Sequence, residues 1–169
     1  MKTFLRFLTT AAFALTLASA ALAVEKNGLS VVVNKTTLEN NDTRGTGYYS
    51  DRINRTQGLK ALIKNTSFKE MPEGEVVWTI LVLRWGTNTI ESFTGTEKLK
   101  ALKPAATTDM VIGKAETGGY KYYGAAEKDK TEWQVVVKHA GKETIKLQST
   151  TTFDNLVKRA IKRPPAKDD

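Results

Sequence analysis

The chain predicts an all-β fold: an antiparallel β-sandwich of about seven strands with one C-terminal α-helix. Three observations carry this. From Val24 onward apolar residues recur with period two and are enriched in β-branched and aromatic types. Gly, Asn and Pro interrupt these runs about every ten residues, the spacing of short strands joined by turns. Only the residues after Thr151 carry a helical period, and no strand and helix alternation of an α/β enzyme is present.

Residues 1–23, MKTFLRFLTTAAFALTLASAALA, read as a secretory signal peptide. Lys2 and Arg6 form the positive start, Phe7 to Leu17 the apolar core, and Ala21-Leu22-Ala23 the small-residue box before a cut at Val24. An uncleaved anchor needs roughly 20 apolar residues; this core is shorter and is diluted by Thr9, Thr10, Thr16 and Ser19. The division is therefore 1–23 signal peptide, 24–150 sandwich, and 151–169 amphipathic helix with a polar tail. No second apolar stretch in the chain is long enough to span a bilayer.

The first strand places Leu29, Val31 and Val33 on one face. Asn40-Asn41-Asp42 and Arg44-Gly45-Thr46-Gly47 form a loop before Tyr48 and Tyr49. Leu59, Ala61 and Ile63 alternate with Lys60, Leu62 and Lys64, a strand wet on one side. After the turn Met71-Pro72-Glu73-Gly74, Val76 to Trp85 is apolar on both faces, which belongs at the centre of a sheet. A hairpin between this run and the Leu59 strand is the expected first pairing. Gly86-Thr87-Asn88 breaks the run, Thr89 to Phe93 resumes it, and Met110, Ile112 and Ala115 mark a further strand ending at Gly118-Gly119. The last hairpin sets Trp133, Val135 and Val137 against Ile145 and Leu147 across the turn Ala140-Gly141-Lys142-Glu143.

Phe153, Leu156, Val157, Ala160 and Ile161 share one face of a 3.6-residue period. Thr151 with Asp154 resembles a capping box, Lys158, Arg159, Lys162 and Arg163 suit the dipole, and Pro164-Pro165 stops the helix. Its expected role is to close one end or face of the sandwich, with docking or membrane-surface binding as the alternative.

Composition narrows function further. Removing the signal peptide leaves 146 of 169 residues, one domain's worth, and lowers the net charge from +8 to +6 through loss of Lys2 and Arg6. The basic residues are dispersed and form no dense stripe, which argues against nucleic acid; weak attraction to anionic polymers or lipid headgroups is compatible with them. With no cysteine, a thiol nucleophile, a zinc-thiolate site and a lipidated cysteine are all excluded.

His139 is the single histidine, set at a strand end where a solvated residue is expected. No Gly-x-Ser-x-Gly elbow accompanies it. Glu73, Glu75, Glu91, Glu97 and Glu132 sit beside turns or on polar faces. Glu39 to Asp42 and Glu127 to Asp129 lack the ligand spacing of a calcium loop. No enzyme activity, metal or cofactor is expected. The aromatic residues Tyr48, Tyr49, Trp85, Tyr120, Tyr122 and Tyr123 are the candidate ligand surface, able to bind a glycan by stacking; Trp78 and Trp133 belong to the core. Four sequons, at Asn34, Asn41, Asn54 and Asn65, are present.

The segments GLKALIKNTSFKEMPEGEVVWTILVLRW, ESFTGTEKLKALKPAATTDMVIGKAE and EWQVVVKHAGKETIKLQSTTTFDNLVKRA resemble small exported immunoglobulin-like proteins of Verrucomicrobia-type bacteria associated with type IV pilus gene clusters. The resemblance spans Gly58 to Ala160 and rests on strand texture and the Leu-x-x-Leu-x-Pro turn at Leu99, Leu102 and Pro104. It implies an immunoglobulin-like sandwich in the periplasm, outer membrane or cell surface, with envelope or pilus proteins as partners and no catalytic residue. A pilin keeps its apolar N-terminal helix; an Ala-x-Ala cut removes it here, so an accessory, assembly or adhesion role is implied. A carbohydrate-binding module and a periplasmic enzyme or inhibitor are the alternatives. Export predicts that the protein recovered from its host begins at Val24, and N-terminal sequencing that returns Met1 defeats the signal-peptide reading.

Overall fold

The structure, a computed structural model, describes residues 22–45, 51–122, 125–139 and 142–163. Among them run ten strands and one helix: β1 Leu22–Lys26, β2 Leu29–Asn40, β3 Asp51–Asn65, β4 Gly74–Leu83, β5 Ile90–Leu99, β6 Thr107–Tyr122, β7 Ala125–Lys128, β8 Lys130–His139, β9 Lys142–Gln148, α1 Phe153–Arg159 and β10 Ile161–Arg163. They build two five-stranded sheets, ordered β1-β2-β3-β6-β7 and β10-β5-β4-β8-β9. The result is an all-β sandwich with one C-terminal helix. Three strands more than the expected seven are present because β1, β7 and β10 are short, exposed edge strands whose sequences carry no buried face. Leu22 and Ala23, upstream of the expected cut, lie in β1 opposite Val33 and Val32. No helix among the described residues is long and apolar enough to cross a membrane.

Period-two alternation built the core as read. Leu29, Val31 and Val33 of β2 and Leu59, Ala61 and Ile63 of β3 meet Val76, Trp78, Ile80 and Val82 of β4 and Trp133, Val135 and Val137 of β8. β4 lies between β5 and β8. Its opposite face is apolar for a second reason: Leu81 packs there with Ile90 under Phe153 of α1. The helix therefore covers a sheet face, sparing Leu81 from water.

The expected hairpin between the Leu59 strand and the Trp78 strand does not form. β3 pairs with β2 and β6, and β4 pairs with β5 and β8. The connection after Asn65 crosses between sheets, and alternation cannot distinguish such a crossing from a hairpin because it reports a buried face and not a neighbour. The C-terminal helix is also shorter than its apolar face suggested. It ends at Arg159, Ala160 is extended, and Ile161–Arg163 pairs in parallel with Glu91 to Phe93 of β5. Arg163 precedes a proline, which disfavours helical backbone, and its guanidinium reaches Glu91 Oε1 at 3.2 Å. Thr152, not Thr151, is the N-cap residue, and its side chain makes no capping bond. Ala140-Gly141 and 164–169 lie outside the described residues.

Trp78 shows why two glycines stand where they do. Gly95 is its partner across the β4–β5 ladder, and a Cβ there would run into the indole ring. From the opposite sheet Gly113, with φ +71°, leaves room above the same ring, where a Cβ would lie 2.9 Å from Trp78 Cε3. Gly113 is also the extra residue of a β-bulge, since Gly58 pairs with Lys114 and Leu59 with Ile112. The bulge explains the change of phase in β6, where buried Ile112 is followed by buried Ala115 and Thr117. Gly95→Ala is expected to destabilise the fold by about 1–3 kcal/mol through overpacking, read by urea denaturation; an unchanged midpoint would show that the indole has room to move.

Candidate functional site

At one end of the sandwich the chain passes from β7 in one sheet to β8 in the other through a single residue, Asp129. Backbone donors of the β4–β5 turn and of β6 face this crossing. The Asp129 carboxylate answers them, accepting from Trp85 N–H at 2.8 Å, Gly118 N–H at 2.8 Å and the Arg84 guanidinium at 2.7 Å. Its side chain is only 7% exposed. Arg84 in turn donates to Glu91 of β5 and to the carbonyl of Glu116 of β6, and Glu91 also holds Arg163 of β10. One arginine thus joins both sheets.

Burial opposes the Arg84 charge, and its hydrogen bonds to Asp129 and Glu91 outweigh that penalty, so the guanidinium is held even more firmly protonated than usual. Asp42 is treated similarly at the neighbouring β2–β3 end. Its bond to Arg55 lowers its pKa, outweighing the opposing effect of desolvation, and it accepts from Asn54 N–H at 3.1 Å. In each of the two acidic turns weighed as calcium loops, one carboxylate, Asp42 or Asp129, is engaged by an arginine.

The Asp129 bond fixes the backbone that presents Trp85. Trp85 follows β4 directly, on a turn closed by Arg84 N–H to Thr89 C=O at 2.8 Å and carried by positive φ at Gly86 and Asn88. Its ring meets Tyr120 of β6 edge to face, with centroids 6.2 Å apart and planes at 63°. Both are 46% exposed. Beside them lies a cleft of about 210 Å³ lined by Arg52, Asn54, Gly118, Gly119 and Asp129, and it adjoins a wider basic hollow bearing Arg44, Lys121 and Lys128.

Of the six aromatic candidates, the structure brings Trp85 and Tyr120 together and leaves Tyr122 exposed two residues further along the same strand. Tyr48, Tyr49 and Tyr123 lie outside the described residues. The 63° angle means that the pair offers two separate faces instead of one flat platform for a sugar ring. Sequence reading missed Arg84, Glu91, Asp129 and Arg163 as a unit; their one local signal was an arginine closing an apolar strand. His139 is not the solvated residue expected. It sits half-buried at the opposite end, Nδ1 3.0 Å from the Pro72 carbonyl and Nε2 out of water with no partner among the described residues.

No family model matches the chain, and no curated protein does. Among solved structures it is similar to a crystal structure from Akkermansia muciniphila, with TM-score 0.31, 10% identity and 84% of each chain covered. A likeness of that degree assigns no function.

Asp129→Ala is expected to cost about 1.5–3 kcal/mol, the range for losing a charged hydrogen-bond acceptor, since Arg84 keeps Glu91. Asp129→Asn, which keeps an acceptor, should cost less. Chemical denaturation of both variants checks the order, and an alanine variant as stable as the parent would remove the junction's structural role.

Proposed function

We propose that this chain is a non-enzymatic interaction protein of a bacterial envelope that docks a partner protein on the Trp85–Tyr120 ledge. One observation carries the reading: a half-exposed tryptophan stands on a backbone pinned by a buried carboxylate, with a tyrosine braced against it. Tryptophan, tyrosine and arginine dominate the energetics of protein interfaces, and a ledge ordered in advance loses little entropy on docking. Arg52 beside the rings and Lys121 and Lys128 in the adjoining hollow supply the polar rim.

Catalysis is disfavoured because the nearby acids are already engaged. Asp129 serves Arg84 and two N–H groups, and Glu91 serves two arginines. Neither is poised to move a proton. The strand-pattern resemblance supports an envelope or pilus protein as the partner, and the signal-peptide reading supports an accessory role over that of a filament subunit.

A photo-crosslinking residue placed at Tyr122, beside the ledge, should capture a discrete envelope protein in the native host. Trp85→Ala in that background should abolish the adduct, with a loss of at least about 2 kcal/mol in binding and an unchanged melting temperature. An adduct that persists in the Trp85→Ala chain overturns the reading, as does its competition by neutral oligosaccharide, which would make the ledge a sugar site.

A further inference from the structure

The opposite end of the sandwich carries a second feature, independent of the ledge. Phe68, in the β3–β4 connection, is 100% exposed, and no other described large apolar side chain exceeds 54%. The loop is nevertheless built to hold it there. Asn65, wholly buried, donates its side-chain amide to the carbonyls of Lys69 at 2.8 Å, Leu102 at 2.9 Å and Lys103 at 3.2 Å, and accepts from Ser67 N–H at 2.9 Å and Ser67 O–H at 2.7 Å. Thr66 N–H adds a bond to Gly28 C=O at 2.8 Å, tying the loop to the β1–β2 turn. These bonds also close the Asn65 sequon to modification, since its amide nitrogen is buried and engaged.

The three turns so joined are basic. Lys26 flanks the β1–β2 turn, Lys64 and Lys69 flank Phe68, and Lys100 and Lys103 lie on the β5–β6 connection; all five are exposed and none forms an ion pair with a described residue. Against them stand Glu25, Glu70 and Glu73. A protein interface is poor in lysine relative to the rest of a surface and rings its aromatic anchors with other apolar side chains at its centre. Here the neighbours are lysines on long stems, so the surface that fits has an apolar interior beneath a negatively charged face. That description belongs to an anionic lipid leaflet, in which an aromatic ring enters the interface while surrounding ammonium groups meet the headgroups.

We propose that the Phe68 loop is a membrane-insertion loop that anchors this end of the sandwich to an anionic lipid surface. It would leave the Trp85 ledge, at the far end of β4, pointing away from the bilayer and open to a partner.

The purified protein should co-sediment with vesicles of phosphatidylglycerol and phosphatidylcholine in equal parts, and not with phosphatidylcholine alone. Phe68→Ala should weaken that binding roughly tenfold or more with no change in melting temperature, because the ring packs on nothing in the free protein. In Phe68→Trp, tryptophan emission should shift to shorter wavelength on adding the mixed vesicles, beyond any shift of the parent. Raising the salt concentration should release the protein. Equal binding by the parent and Phe68→Ala overturns the proposal, as does an unshifted Phe68→Trp spectrum with the protein sedimented, or absence of binding to the mixed vesicles. Binding to phosphatidylcholine as tight as to the mixture removes the role of the lysines and overturns it too.

Discussion

The sandwich depends on a single carboxylate at the point where its two sheets exchange the chain. Asp129 is the one residue between β7 and β8, and two backbone N–H groups and a guanidinium converge on it. Without it the Trp85 and Gly118 N–H groups would each lose their charged acceptor, a bond contributing about 1.5–3 kcal/mol. Because Arg84 also binds Glu91 and the Glu116 carbonyl, the charge cluster fixes the position of β5 and β6 relative to each other at that end. An ion pair between surface side chains contributes little; this one is sheltered, multiply hydrogen-bonded and shared between layers.

Away from that junction the fold is held by shape. Trp78 fills the space between the sheets because Gly95 beside it and Gly113 above it lack side chains. The bulge at Gly113 then shifts the alternation of β6 so that Ala115 and Thr117 turn inward where Ile112 leaves off. Steric exclusion at two positions thus sets the register of one strand and the thickness of the core.

The same two devices, a buried polar hub and an exposed aromatic, occur at both ends. Asp129 orders the turn that displays Trp85, and Asn65 orders the loop that displays Phe68. In each case a short side chain with two or more acceptor or donor sites replaces the backbone partners that a turn cannot supply. The chemistry of the rims differs: the ledge pairs its tryptophan with Tyr120 and a cleft, whereas Phe68 stands alone among lysines.

Sequence by itself determined the all-β class, the inward faces of β2, β3 and β8, and the core placement of Trp78 and Trp133, because burial of alternating side chains is a local pattern with a solvent-driven cause. It also marked Tyr48, Tyr49, Trp85, Tyr120, Tyr122 and Tyr123 as candidates for a ligand surface, of which Trp85, Tyr120 and Tyr122 are exposed. Tertiary structure alone decided that β3 pairs with β2 and β6, that Ile161–Arg163 leaves the helix to join β5, and that Arg84, Glu91, Asp129 and Arg163 form one cluster. Those outcomes rest on contacts between residues as far as 72 positions apart. A charge seen in isolation reads as a solvated turn; only the folding of both sheets brings its partners within reach and makes desolvation worth offsetting.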